Sequence, residues 1–140
     1  MTRVEFYFNV ANKLDKTAEL CQKALDKGRQ LTIYTQDEAM SSQVQSHLWT
    51  YSNSSFLANS KIDESNNHFS PIVIDFDGQK LIQDDVLINL HNVQPIFFSR
   101  FRYLVELVSY DDADKAAARA RFRFYKDRGY DIKPTDSAVA

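Results

Sequence analysis

The chain has 140 residues, a formal net charge of -2 and 44% hydrophobic residues, with ten Phe and seven Tyr. Those values describe a folded globular protein of one domain, and they exclude both a disordered chain and one that coats nucleic acid along its whole surface. The single cysteine, Cys21, excludes an internal disulfide and fits a reducing compartment, and no apolar run approaches the roughly 18 residues of a membrane span.

Taken in order, Arg3 to Val10 (RVEFYFNV) is aromatic and β-branched, which predicts a strand where a signal peptide would otherwise begin. The cytosol is the expected location. Leu14, Ala18, Cys21 and Leu25 recur at helical spacing and Gly28 supplies a stop, so an amphipathic helix follows, with Cys21 read as core rather than nucleophile. Gln30 to Tyr34 predicts a second strand, and Asp37 the cap of a second helix whose face carries Met40, Val44 and Leu48. Two strand-then-helix units in succession imply parallel pairing with right-handed crossovers, an α/β fold with a mostly parallel sheet flanked by helices.

Asn53 to Phe69 is rich in Ser and Asn and lacks a period; it reads as a surface loop with Phe56 and Leu57 as candidate anchors. Pro71 to Phe76 predicts a buried strand, Asp77-Gly78 a turn, Val86 to Leu90 another strand, and Pro95 to Arg102 a short helical turn. Tyr103 to Val108 is the last expected strand. One domain over residues 1–132 is expected, with residues 133–140 as a flexible tail, because nothing after Ile132 carries a packing signal.

Between that strand and the tail, Ser109 to Tyr130 runs SYDDADKAAARARFRFYKDRGY and predicts one helix ended by Gly129. At about 100° per residue, Lys115, Arg119, Phe122, Arg123 and Lys126 share one face, with Ala117, Ala120 and Phe124 roughly opposite and available to the core. Ala113 to Arg128 holds six basic residues against two acidic ones, net +4 in a chain of -2. The plainest reading is a solvated helix with its charges matched to the helix dipole. Phe122 counts against it, since an apolar ring among guanidinium and ammonium groups has the composition of a pocket for an acidic, partly hydrophobic ligand. A second use of the same face is single-stranded nucleic acid, with cations on phosphates and Phe122 stacked on a base.

Other chemistry is thinly supported. The three glycines are isolated, so phosphate-binding loops are absent. Ile72 to Gly78, IVIDFDG, resembles the first motif of haloacid-dehalogenase-type phosphatases, in which Asp75 and Asp77 would serve as nucleophile and acid/base. Gln79 stands where that family usually has Thr or Val, two strand-helix units precede the motif, and a turn is the ordinary explanation. His47, His68 and His91 have no metal-ligand spacing, and Asp84 and Asp85 lack diagnostic partners, so no catalytic residue, metal or cofactor is expected. Trp49, the only tryptophan, ends a helix before the polar loop and reads either as a plug at the core edge or as an interface anchor.

The order of these pieces resembles the chi subunits of bacterial DNA polymerase III from end to end. The likeness is carried by the FYF of the first strand, the Cys-bearing helix ended by Gly28, and DEA and LW with Phe56 seven residues after Trp49. DVLINL follows, then VSYDD with the Lys, Arg, Arg, Lys helix closed by RGY. The resemblance implies a single Rossmann-like α/β domain without enzymatic activity, an adaptor between two proteins. One is the psi subunit, which ties chi to the clamp loader; the other is single-stranded DNA-binding protein, through its acidic C-terminal tail ending in phenylalanine. Carried over, the tail pocket falls on Val108, Lys115, Arg119, Phe122 and Arg123, and the psi-facing surface on Trp49 and Phe56. DNA contact is then indirect, and the chain is a monomer alone or a heterodimer with psi. The sequence departs from the family in having Phe122 where Tyr is common and Arg123 where Lys is common.

Overall fold

In a computed structural model, residues 2–50, 59–61, 71–78, 81 and 83–138 are described. Among the described residues seven strands form one sheet: β1 (Arg3–Val10), β2 (Leu31–Tyr34), β3 (Asn59–Lys61), β4 (Ile72–Asp75), β5 (Val86–Asn89), β6 (Tyr103–Ser109) and β7 (Ile132–Asp136). Their order is β3-β4-β2-β5-β6-β1-β7, and every neighbouring pair is parallel. Helices α1 (Lys13–Asp26), α2 (Glu38–Thr50) and α3 (Asp112–Asp127) cover its two faces. This is the expected α/β architecture. The central strands LTIY, IVID and VLIN are apolar on both sides because both sides are covered.

The helix starts follow local chemistry. Asn12, Asp37 and Asp111 each accept a backbone N–H from three residues on, with Asp37 receiving Met40 N at 2.8 Å. Just past α1 and α3, Gly28 and Gly129 take φ of 71° and 83°, the left-handed turn that ends a helix at little cost for glycine.

Direction of travel decides the layers. From β1 the chain moves through α1 toward β2, and from β6 it moves the opposite way through α3 to β7. Right-handed crossovers then put α1 and α3 on opposite faces. Ala18, Cys21, Val44 and Leu48 pack with Ile33, Ile74 and Leu107 on one side; Val4, Phe6, Leu104 and Phe98 pack with Ala118 and Tyr125 on the other. The point where the two directions part, between the C-terminal ends of β1 and β6, is where open α/β sheets most often bind ligands. Here it is bridged: Lys13 Nζ donates to Asp114 Oδ1 at 2.8 Å, joining the first turns of α1 and α3.

Three local expectations are corrected. Asn59–Lys61, within the expected loop, pairs with β4 as an edge strand. Residues 133–136, expected in the tail, continue from Ile132 as β7, which pairs with β1 along its length. Val4 N donates to Asp131 O and Ser137 N to Phe8 O, so residues 131, 133, 135 and 137 address β1 and Pro134 points outward. Its missing N–H thus falls on the free edge, where no ladder bond is lost and an incoming strand meets a gap. Finally, α3 turns Ala118, Arg121 and Tyr125 to the core, while Ala120 is exposed and Ala117 and Phe124 are only half-buried. Across the interface from Arg121 stands Glu106 of β6. It is fully buried and accepts from Arg121 Nε at 3.0 Å, from the Tyr125 hydroxyl at 2.6 Å and from the Asn89 amide at 3.0 and 3.2 Å. Burial pushes the Glu106 carboxyl above its usual range, against Arg121, Tyr125 and Asn89, each of which favours the carboxylate.

Candidate functional site

A cleft of about 490 Å³ opens between α3, β1 and β7. Its α3 wall is Lys115, Ala118, Arg119, Phe122, Arg123 and Lys126, spaced three and four apart so that all face one way. The end of β6 adds Val108 and Ser109, β1 adds Phe6, Phe8 and Asn9, and β7 adds Pro134. All five residues expected to form the tail pocket therefore meet around one space. Val108 is buried at its base; Phe122 is half-buried, its ring edge-on to Phe6 with centroids 5.3 Å apart.

The rim is cationic. Arg119, Arg123 and Lys126 are exposed, and Lys115 is half-buried with its ammonium 6.0 Å from the Tyr110 ring centroid. Among the described residues none of these four takes part in an ion pair. Four positive charges without an ion-pair partner among the described residues, above an apolar floor, suit a ligand that carries several carboxylates and one hydrophobic group. The floor residues Phe6, Phe8 and Pro134 were not among the expected site residues. Alternation in RVEFYFNV does put Phe6 and Phe8 on one face with Val4, but only the topology brings α3 over that face. Asn9 reaches the cleft by a local irregularity: the β1–β6 register shifts between Tyr7 and Val10, Asn9 adopts φ 57°, and its amide donates to Asp136 Oδ1 at 3.1 Å.

The competing constellations resolve into structural roles. The Asp75 carboxylate is buried and accepts the backbone N–H groups of Asp77 at 3.2 Å and Gly78 at 3.1 Å, which closes the Asp-Gly turn. Burial raises its pKa, opposed by those two bonds. Asp85 is ion-paired with Arg29, His47 Nε2 lies 2.6 Å from Asp15 Oδ1, and His91 stacks on Tyr34. Among the described residues no group of three or more His, Cys, Asp or Glu side chains could hold a metal ion, and no helix is long and apolar enough to cross a membrane. His68 lies outside the described residues.

A family model described as "DNA polymerase III chi subunit, HolC" matches residues 1–133. The chain belongs to the DNA polymerase III chi subunit family. Chi subunits of Pseudomonas aeruginosa and Haemophilus influenzae are similar to it, at 31% identity over 95% of each chain and at 28% over 75% of this chain and 74% of the relative. That of Escherichia coli is 25% identical over 81% and 80%. In three dimensions the chain resembles the C-terminal domain of the DEAD-box protein Dbp5, with a TM-score of 0.67 at 12% identity over 99% of this chain and 91% of that one, a likeness of fold alone.

Within this chi-family scaffold Trp49, expected on the other surface, sits apart from the cleft. Trp49 is half exposed, near the C-terminal end of α2, and α2 packs on the face of the sheet away from α3. Phe56, the other residue expected at the psi-facing surface, lies outside the described residues.

Proposed function

We propose that the chain is a non-catalytic adaptor of the DNA polymerase III holoenzyme, acting in the cytoplasm. Its cleft binds the acidic C-terminal tail of single-stranded DNA-binding protein, and Trp49 and Phe56 engage psi and, through it, the clamp loader. The observation that carries this reading is the cleft itself, where Lys115, Arg119, Arg123 and Lys126 have no ion-pair partner among the described residues and stand above the floor of Phe6, Val108 and Phe122. Arginine forks take carboxylates with two parallel hydrogen bonds, and a terminal aromatic side chain fills an apolar slot that water occupies poorly. DNA is reached through the bound partner, and membership of the chi family agrees with a place in the replication machinery.

Titration with an acidic peptide ending in Phe, with the same peptide lacking that Phe, and with a labelled single-stranded oligonucleotide tests the proposal. The full peptide should bind best, and Arg119→Ala should cost more than about 1.5 kcal/mol, the loss of one charge-assisted anchor. Equal binding of the two peptides sinks the proposal, and tight oligonucleotide binding lost in Arg119→Ala replaces it with direct nucleic-acid recognition. A pull-down with Trp49→Ala examines the other surface separately: psi should be lost and single-stranded DNA-binding protein retained.

A further inference from the structure

Three arginines alternate along α3, and their environments are opposite. Arg121 is 2% exposed, whereas Arg119 and Arg123 stand open at the cleft. At about 100° per residue, Arg119 and Arg123 lie about 40° apart and Arg121 falls on the far side of the helix. The sequence Arg-Ala-Arg-Phe-Arg offers any of the three to the sheet. What chooses is Glu106.

Every hydrogen bond at the Glu106 side chain is one it accepts, the arrangement of a carboxylate, and Arg121 Nε supplies one of them at 3.0 Å. Through Nη1 the same guanidinium donates to the Asn92 carbonyl at 2.8 Å, in the loop after β5. Arg121 is thus held at two points, one on β6 and one just beyond β5, which fix it both around the axis of α3 and along it. In the first half of α3 the buried residue is Ala118, too small to form a ridge that interlocks with the sheet.

We propose that Glu106 and Arg121 are positioning residues for the cleft: the buried pair selects the middle arginine and so aims Arg119 and Arg123 at the ligand's carboxylates, an inference that rests on the cleft being the acidic-tail site. A buried ion pair adds little stability over an apolar pair of similar volume, but it discriminates sharply between registers, because withdrawing Arg121 leaves Glu106 buried without its counter-charge.

Affinity for the Phe-ending acidic peptide and melting temperature are measured for Glu106→Gln/Arg121→Met, Arg121→Lys and Arg119→Ala, with binding read well below each melting point. The double change removes both charges at similar volume. It should melt near the wild type yet bind the peptide about tenfold more weakly, as when an aligned charged contact is lost. Wild-type affinity in the folded double variant overturns the inference, since the pair then only supports the fold. If the double variant does not fold, Arg121→Lys decides. It keeps the charge but not the two-way fork, so weaker binding supports positioning and unchanged binding overturns it. Arg119→Ala separates the failures. Unchanged binding there removes the cleft reading itself, whereas loss there with full affinity in the double variant removes only the positioning role.

Discussion

Phe6 on β1 and Phe122 on α3 meet edge to face, with ring centroids 5.3 Å apart and planes inclined at 65°. The contact joins the floor of the cleft to its cationic wall, and it holds Phe122 on the helical face that it shares with Lys115 and Arg119. Phe122→Ala should weaken binding of the Phe-ending peptide by about 1–2 kcal/mol and leave the weaker binding of the shortened peptide almost unchanged. Isothermal titration calorimetry with both peptides checks it; an equal loss for both would mean that Phe122 supports the helix rather than walls a slot.

Affinity at the cleft should depend steeply on salt. Its four cations are at or near the surface, where the screening length is about 8 Å at physiological ionic strength and about 3 Å at 1 M. The dissociation constant of the acidic peptide should rise by about tenfold or more between low salt and about 0.5 M NaCl, while the melting temperature changes little because Glu106–Arg121 is shielded from solvent. Peptide binding that is indifferent to salt would remove the cations from the recognition.

The clasp between the helix starts should appear in acid unfolding. Burial would raise the Asp114 carboxyl, but the hydrogen bonds from Lys13 and Ser109 outweigh it and hold the pKa below the usual carboxylate range. Burial is likewise outweighed at Asp85 by its bonds from Arg29 and the Gln30 backbone. A carboxyl depressed in the folded state contributes stability above its unfolded pKa of about 4 and loses it as pH falls through the folded value. Both groups should therefore make stability drop below about pH 4. Asp114→Asn should lower stability at neutral pH and flatten that acid limb in urea titrations followed by circular dichroism.

A substitution at the Asp-Gly turn should be costly although the position is remote from the cleft. Gly78 has φ 72°, and a Cβ there would run into the Phe97 ring. Gly78→Ala should destabilise the protein by about 1–3 kcal/mol through backbone strain and overpacking, with peptide affinity intact in the folded fraction. Paired urea and peptide titrations measure both.

Local chemistry was enough for much of this. The β-branched and aromatic run of β1, the apolar stripe of α1 and the Asp37 cap each act within a few residues, so their elements are legible in sequence. The same holds for Lys115, Arg119, Phe122 and Arg123, because spacing along one helix settles that they share a face, and Val108 lies on the strand that feeds it.

Long-range pairing decided the rest. β7 carries a proline and no alternating pattern; it is a strand because β1 offers an open edge, and Pro134 fits because its absent N–H points away from that edge. Likewise, the sequence by itself determined that α3 has a cationic face, but helical periodicity could not say which of three alternating arginines turns inward. Glu106 decides that from another strand, since a buried carboxylate needs its counter-charge at one place in space. The floor of the cleft follows from the same cause, as Phe6, Phe8 and Pro134 become part of it only when β1, β7 and α3 converge.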